Sequence, residues 1–104
     1  MDTQTFLNRV KELQSESLNI MVNKNKDYAG AGDPFKNFKM CESIGICSAE
    51  KGILVRMTDK LQRISNLLTT EAQVKDESIL DTLQDLSNYS LILRVYLESH
   101  ADKK

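Results

Sequence analysis

Residues 76–97 read DESILDTLQDLSNYSLILRVYL, and two periods run through them. Ile79, Leu80, Leu83, Leu86, Leu93 and Leu97 recur at helical spacing. They predict an amphipathic α-helix that starts on an Asp76 N-cap, runs to about His100 and buries this face. Glu77, Asp81 and Asp85 stand four residues apart, which stacks three carboxylates in one line over two turns of that helix. Like charges at this spacing cost about 0.2–0.5 kcal/mol per pair in an isolated helix. The helix dipole relieves only those in the first turn, so Asp85 gets no such help. A cation, a basic partner face or solvent must meet the row, and each choice implies a different function.

Working outward, Ser48 is placed to cap a helix with Glu50 in its first turn, and Leu54, Met57, Leu61, Ile64 and Leu68 give it one apolar stripe to about residue 69. The polar connector TTEAQVK joins it to the last helix. Upstream, Phe6, Val10, Leu13, Leu18, Met21 and Val22 predict a first helix over about 3–24. Between Lys24 and Lys39 the period breaks: KNKDYAGAGDPFKNFK holds two of the four glycines and the only proline, and reads as one long functional loop. A short helix is expected from about Pro34 to Ile44, stopped by Gly45. Residues 101–104, ADKK, are a frayed tail. The whole is a single all-α domain over 1–104, a small helical bundle of three long helices plus one short helix. At 104 residues such a bundle buries somewhat more than roughly 60% of the surface its unfolded chain exposes, so it folds only modestly alone, which favours completion of the core by homo-oligomerisation.

Bulk charge narrows the partners. Fourteen basic against fifteen acidic residues leave no global field for non-specific nucleic-acid or membrane binding, so any anion site is local. The N-terminus MDTQTFLNRVKELQ lacks the apolar core of a signal sequence, and no run reaches transmembrane length, so the expectation is a soluble, cytoplasmic protein. Cys41 and Cys47 have no His or second Cys pair around them and read as two reduced, partly buried thiols, with a redox role the alternative. His100, the one histidine, lies near the frayed end and is expected on the surface, which leaves no base for triad chemistry.

The remaining chemistry lies on two helices and a loop. Arg56, Lys60 and Arg63 share a face, with Asp59 at its edge, and form a basic mirror of the acidic row on a helix expected to pack antiparallel to it. As hard oxygen ligands, Glu77, Asp81 and Asp85 suit Mg²⁺, with Mn²⁺ as a substitute. The same acids could instead pair with the basic face, or stand in solvent as an ordinary polar stripe. In the loop, Lys24, Lys26, Lys36 and Lys39 are available for phosphates, Gly30 and Gly32 let backbone N–H groups approach an anion, and Tyr28, Phe35 or Phe38 could stack on a base or anchor the loop. The AGAGDP run lacks the strand–turn–helix context of a P-loop or dinucleotide fingerprint. Asn88 and Tyr89, one turn past Asp85, could line the same groove.

Taken in order, K-N-K-D-Y, D-P-F-K-N-F, R-M-T-D-K-L-Q-R and D-E-S-I-L-D-T-L-Q-D-L-S-N-Y resemble the small phage-encoded nucleotide-modification-associated domains. Those domains look like relatives of the all-α MazG-type nucleotide pyrophosphohydrolases, and the resemblance covers about residues 20–96. It implies a MazG-like, usually oligomeric bundle that acts on or binds a nucleotide in a phage or prophage setting, hence in the host bacterial cytoplasm. By that analogy Glu77, Asp81 and Asp85 are metal-binding acids, with Asp81 and Asp85 catalytic. Lys24, Lys26, Asp27, Tyr28, Lys36, Asn37, Phe38, Arg56, Lys60, Arg63 and Tyr89 line the nucleotide pocket. One departure bears on the chemistry. MazG-type enzymes usually carry E-x-x-E on the preceding helix, where this chain has only Asp59 among Arg56, Lys60 and Arg63. Two functions follow as expectations: Mg²⁺-dependent cleavage of a nucleoside triphosphate to monophosphate and pyrophosphate, or non-catalytic capture of a cyclic or modified nucleotide signal used in host defence. A helical interaction module, with its charges spent on ion pairs, is the third.

Overall fold

A computed structural model describes residues 1–28, 32–69 and 77–101, with the backbone alone for 25–28 and 77. Four helices account for it: α1 (Thr3–Tyr28), α2 (Lys36–Ser43), α3 (Ala49–Leu68) and α4 (Glu77–Ser99), with no strand among the described residues. The chain forms two compact units, Met1–Pro34 and Phe35–Lys104. No helix among the described residues is long and apolar enough to cross a membrane.

In the first unit, Asp2 caps α1: its Oδ1 accepts from the Thr5 N–H at 2.8 Å and its carbonyl from the Phe6 N–H at 3.1 Å. Arg9 reaches Glu12 at 2.9 Å and Glu16 at 3.9 Å along the exposed surface of the helix. The helix runs to Tyr28, four residues past its predicted end near residue 24. Asn23–Asp27 contribute no apolar face, but they contain no glycine or proline, so the backbone ladder continues through them. Lys24, Lys26, Asp27 and Tyr28 are therefore helical rather than loop residues, and Lys36, Asn37, Phe38 and Lys39 belong to α2. The long loop predicted over 24–39 is thus helical at 24–28 and at 36–39, and its residues 29–31 lie outside the described residues.

The second unit is built on α3 and α4, which pack antiparallel with α2 laid against them. Ile53 on α3 is fully buried beside Ala49 and Tyr96, and Phe35, Phe38, Met57, Tyr89, Ile92 and Leu93 close around them. Burying one such isoleucine side chain stabilises the fold by about 1.5–3 kcal/mol. Phe35 meets Tyr96 edge to face at 5.2 Å, and Phe38 meets Tyr89 at 6.2 Å, so two rings anchor α2.

The chain reverses after α2 at Gly45, whose φ of +82° lies in the left-handed region that favours glycine. The N–H of Ile46 and that of Cys47 both donate to the Cys41 carbonyl, at 2.9 and 3.3 Å. Ser48 caps α3 as its sequence position predicts, accepting from the Lys51 N–H. Glu42 of α2 adds an accepting oxygen to the Ala49 N–H at 3.2 Å, a carboxylate set against the positive end of α3.

The buried faces differ from those predicted. On α4, Ile79 is buried and Leu86 and Leu93 are half-buried, but Leu80, Leu83 and Leu97 are exposed. Thr82, Tyr89 and Tyr96 take the inner side instead. On α3, Met57 and Ile64 turn inward while Leu54, Leu61 and Leu68 stay exposed. His100, expected on the surface, is half-buried: its ring stacks on Tyr96 at 4.0 Å and its Nδ1 lies 2.8 Å from the Tyr96 carbonyl oxygen. The four-residue spacing puts it over Tyr96, whose carbonyl also accepts from the His100 N–H at 3.1 Å and the Ser99 hydroxyl at 3.0 Å. The predicted Asp76 cap, the Gly30 approach and the last tail residues lie outside the described residues.

Candidate functional site

Two polar stripes of the second unit face one another. On α3, Arg56, Lys60, Arg63 and Leu67 fall at i, i+4, i+7 and i+11. On α4, Ser78, Thr82, Asp85 and Tyr89 do the same, and antiparallel packing runs the two lines past each other.

Lys60 Nζ lies 3.4 Å from Asp85 Oδ2, with both side chains somewhat under a third exposed. Arg63 forks across the interface: Nε donates to Thr82 Oγ1 at 3.2 Å and Nη2 to Ser78 Oγ at 2.6 Å. Thr82 in turn donates its hydroxyl hydrogen to the Ser78 carbonyl at 2.6 Å, which leaves its oxygen oriented toward the guanidinium. A partly solvated pair such as Lys60–Asp85 is worth about 1 kcal/mol or less. Its significance is positional, because it draws the last acid of the predicted row onto the basic helix.

Beside α3 opens a wide groove of about 520 Å³ lined by Asp59, Lys60, Gln62, Arg63, Asn66 and Leu67. Two cations, one carboxylate and two amides on its wall suit an anionic, hydrogen-bonding ligand more than an apolar one.

Of the remaining predicted residues, Arg56 and Asp81 are exposed, as are Lys36 and Asn37 on the first turn of α2. Phe38 and Tyr89 are half-buried and engage each other. Lys24 lies on α1 in the other unit. The side chains of Lys26, Asp27, Tyr28 and Glu77 lie outside the described residues.

Three features went unread in the sequence. Ser78 and Thr82 receive Arg63, and their four-residue spacing in line with Asp85 was an available signal. Gln62 and Asn66 line the groove at the same spacing. Asn88, one turn past Asp85, is buried, and its Oδ1 has no hydrogen-bond partner among the described residues.

Glu77, Asp81 and Asp85 are the acids expected to hold Mg²⁺ or Mn²⁺. Among the described residues, no three His, Cys, Asp or Glu side chains gather as a metal set. Asp85 is paired with Lys60, and the α3 face opposite carries two arginines and a lysine. The Glu77 side chain lies outside the described residues, so the set Glu77, Asp81 and Asp85 is described only in part.

No curated protein and no solved structure matches the chain. A family model does, over residues 24–97, which take in the last turn of α1, the whole of α2 and α3, and nearly all of α4. Every residue of the Lys60, Arg63, Ser78, Thr82 and Asp85 constellation falls inside that match, and the chain belongs to the family described as nucleotide modification associated domain 1.

Proposed function

We propose that the protein binds a nucleotide through its phosphates, with Lys60 and Arg63 as the central cations, Arg56 as an outer one, and Gln62 and Asn66 as hydrogen-bonding neighbours on the groove wall. The observation that carries this reading is the convergence of Lys60 and Arg63 on the α3–α4 interface beside an open groove of about 520 Å³, within the segment that defines the family. Ligand clefts commonly hold roughly 300–1,000 Å³.

The geometry favours reversible capture over hydrolysis. Asp85 is engaged by Lys60, and a guanidinium held by two hydroxyls is preorganised to receive phosphate oxygens. In this reading the protein is phage- or prophage-encoded, works in the host cytoplasm, and sequesters a cyclic or modified nucleotide signal as an anti-defence device. A second reading keeps the MazG-like chemistry: Asp81 is exposed four residues from Asp85, and with Glu77 the two could hold Mg²⁺ for pyrophosphohydrolysis of a nucleoside triphosphate. Magnesium would there supply charge neutralisation at the phosphates.

One experiment separates the readings. The protein is incubated with nucleoside triphosphates and cyclic nucleotides, with and without Mg²⁺, and the nucleotide is chromatographed before and after the protein is denatured. Capture predicts intact nucleotide released only on denaturation, and a Tm rise corresponding to roughly 2.7 kcal/mol at about 100 times Kd. Arg56→Ala with Lys60→Ala should weaken binding at least tenfold while the helical circular dichroism is retained. Monophosphate and pyrophosphate formed only with Mg²⁺, and lost in Asp81→Ala, would favour hydrolysis. No thermal shift with any nucleotide would sink both and leave the helical interaction module.

A further inference from the structure

We propose that Cys41 and Cys47 are a dithiol site that closes to an intrachain disulfide on reaction with a low-molecular-weight disulfide such as oxidised glutathione. The site lies in the turn between α2 and α3, and the inference does not rest on nucleotide binding.

Three observations bring the thiols together. The left-handed turn at Gly45 folds the chain back so that the Cys47 N–H donates to the Cys41 carbonyl at 3.3 Å. That single bond limits the two Cα atoms to at most about 7 Å, near the upper end of what a disulfide spans. Both sulfurs also converge on α3 at Gly52: a Cβ built there would stand 3.7 Å from Cys41 Sγ and 3.8 Å from Cys47 Sγ, so the sulfurs lie no farther apart than those distances together allow. Gly52 itself is buried and carries no side chain between them. Lastly, both cysteines are free and half-buried, so a small disulfide can reach them while the packing against α3 limits their exit.

The chemistry balances as two exchanges. One cysteine, deprotonated by solvent, attacks a sulfur of oxidised glutathione. The glutathione S–S bond breaks, and the departing glutathione thiolate takes up a proton. The second cysteine thiolate then attacks the protein-bound sulfur of the mixed disulfide and expels the other glutathione. Two cysteine thiols are oxidised by two electrons, and one disulfide is reduced to two thiols.

Closure links Cys41 of α2 to the residue preceding the Ser48 cap of α3. Because α2 carries Phe35 and Phe38 onto Tyr96 and Tyr89, the bond would secure the rings that complete the core. The loop is short, so the gain is modest, a rise in Tm on the order of 5 °C.

The test uses the reduced full chain, incubated with a graded series of oxidised glutathione, quenched by alkylation, and read by intact mass and peptide mapping. The expected product is a single chain free of interchain cross-links, lighter by two hydrogens, with both cysteines protected within the one peptide 40–51 that cleavage at Lys and Arg releases. It should melt higher than the reduced protein. Cys41→Ser and Cys47→Ser should each stop at a single stable glutathione adduct. Stable adducts on both cysteines of the unsubstituted protein, disulfides between chains, or a lower Tm after oxidation would each overturn the proposal. The readings on the unsubstituted protein stand even if a serine variant fails to fold.

Discussion

Asn88 is where a single side chain departs most from ordinary physical economy. It is buried on α4 and its Oδ1 lacks a hydrogen-bond partner among the described residues, a condition that costs about 1–3 kcal/mol. Replacing a buried unpaired amide by an apolar group of similar branching removes that penalty. Asn88→Leu should therefore leave the melting temperature unchanged or raise it, as read by thermal denaturation; a fall of more than about 1 kcal/mol would mean that the rest of the amide is needed by the fold. In the sequence Asn88 looks like the last member of an exposed polar stripe, because helical spacing gives direction around an axis and says nothing of what lies opposite. Arg63 teaches the same lesson: its charge was legible, but its hydroxyl partners fifteen and nineteen residues away were not.

At the scale of helices, the rotation of α4 decides the site. The acidic line over 77, 81 and 85 and the line over 78, 82, 85 and 89 share only Asp85, and their mean directions differ by about 70° around the helix. Packing selects the second line against α3. Of the two acids with described side chains in the first line, Asp85 turns to Lys60 and Asp81 remains exposed. Helix ends were easier to read. Ser48 and Gly45 act where their local chemistry predicts, since caps and left-handed stops depend on neighbours in sequence. Asp2 is a cap of the same kind. Hydrogen bonds from the Thr5 side chain and then from its backbone N–H hold its carboxyl below the usual carboxylate range. A depressed folded pKa means that the cap's contribution is present above the unfolded pKa and lost as pH falls through the folded one. Acidification through the carboxylate range should thus fray the first turn of α1, with faster amide exchange at Thr5 and Phe6. Asp2→Ala should show that faster exchange already at neutral pH.

At the scale of the molecule, the second unit leaves much apolar surface on its outside. On α3, Leu54, Leu61 and Leu68 form an exposed line at seven-residue spacing, with Leu61 53% exposed, and α4 adds Leu80, Leu83 and Leu91. A seven-residue leucine repeat is the seam by which helices of separate chains pack. We infer a homo-oligomer, so light scattering at micromolar concentration should give at least twice the 11.8 kDa chain mass. Leu61→Glu should shift the protein toward monomer with its helicity kept; a monomeric unsubstituted protein would exclude the inference. The sequence alone determined the all-α class, the helix starts and stops after Pro34, and the complementary charge on α3 and α4, because these follow from period and from neighbours along the chain. Tertiary structure decided which stripe of each helix turns inward, why Leu54, Leu61 and Leu83 remain outside, and that Asp85 meets Lys60. Those outcomes depend on the rotation of one helix against another, which is set by side-chain packing between residues far apart in the chain.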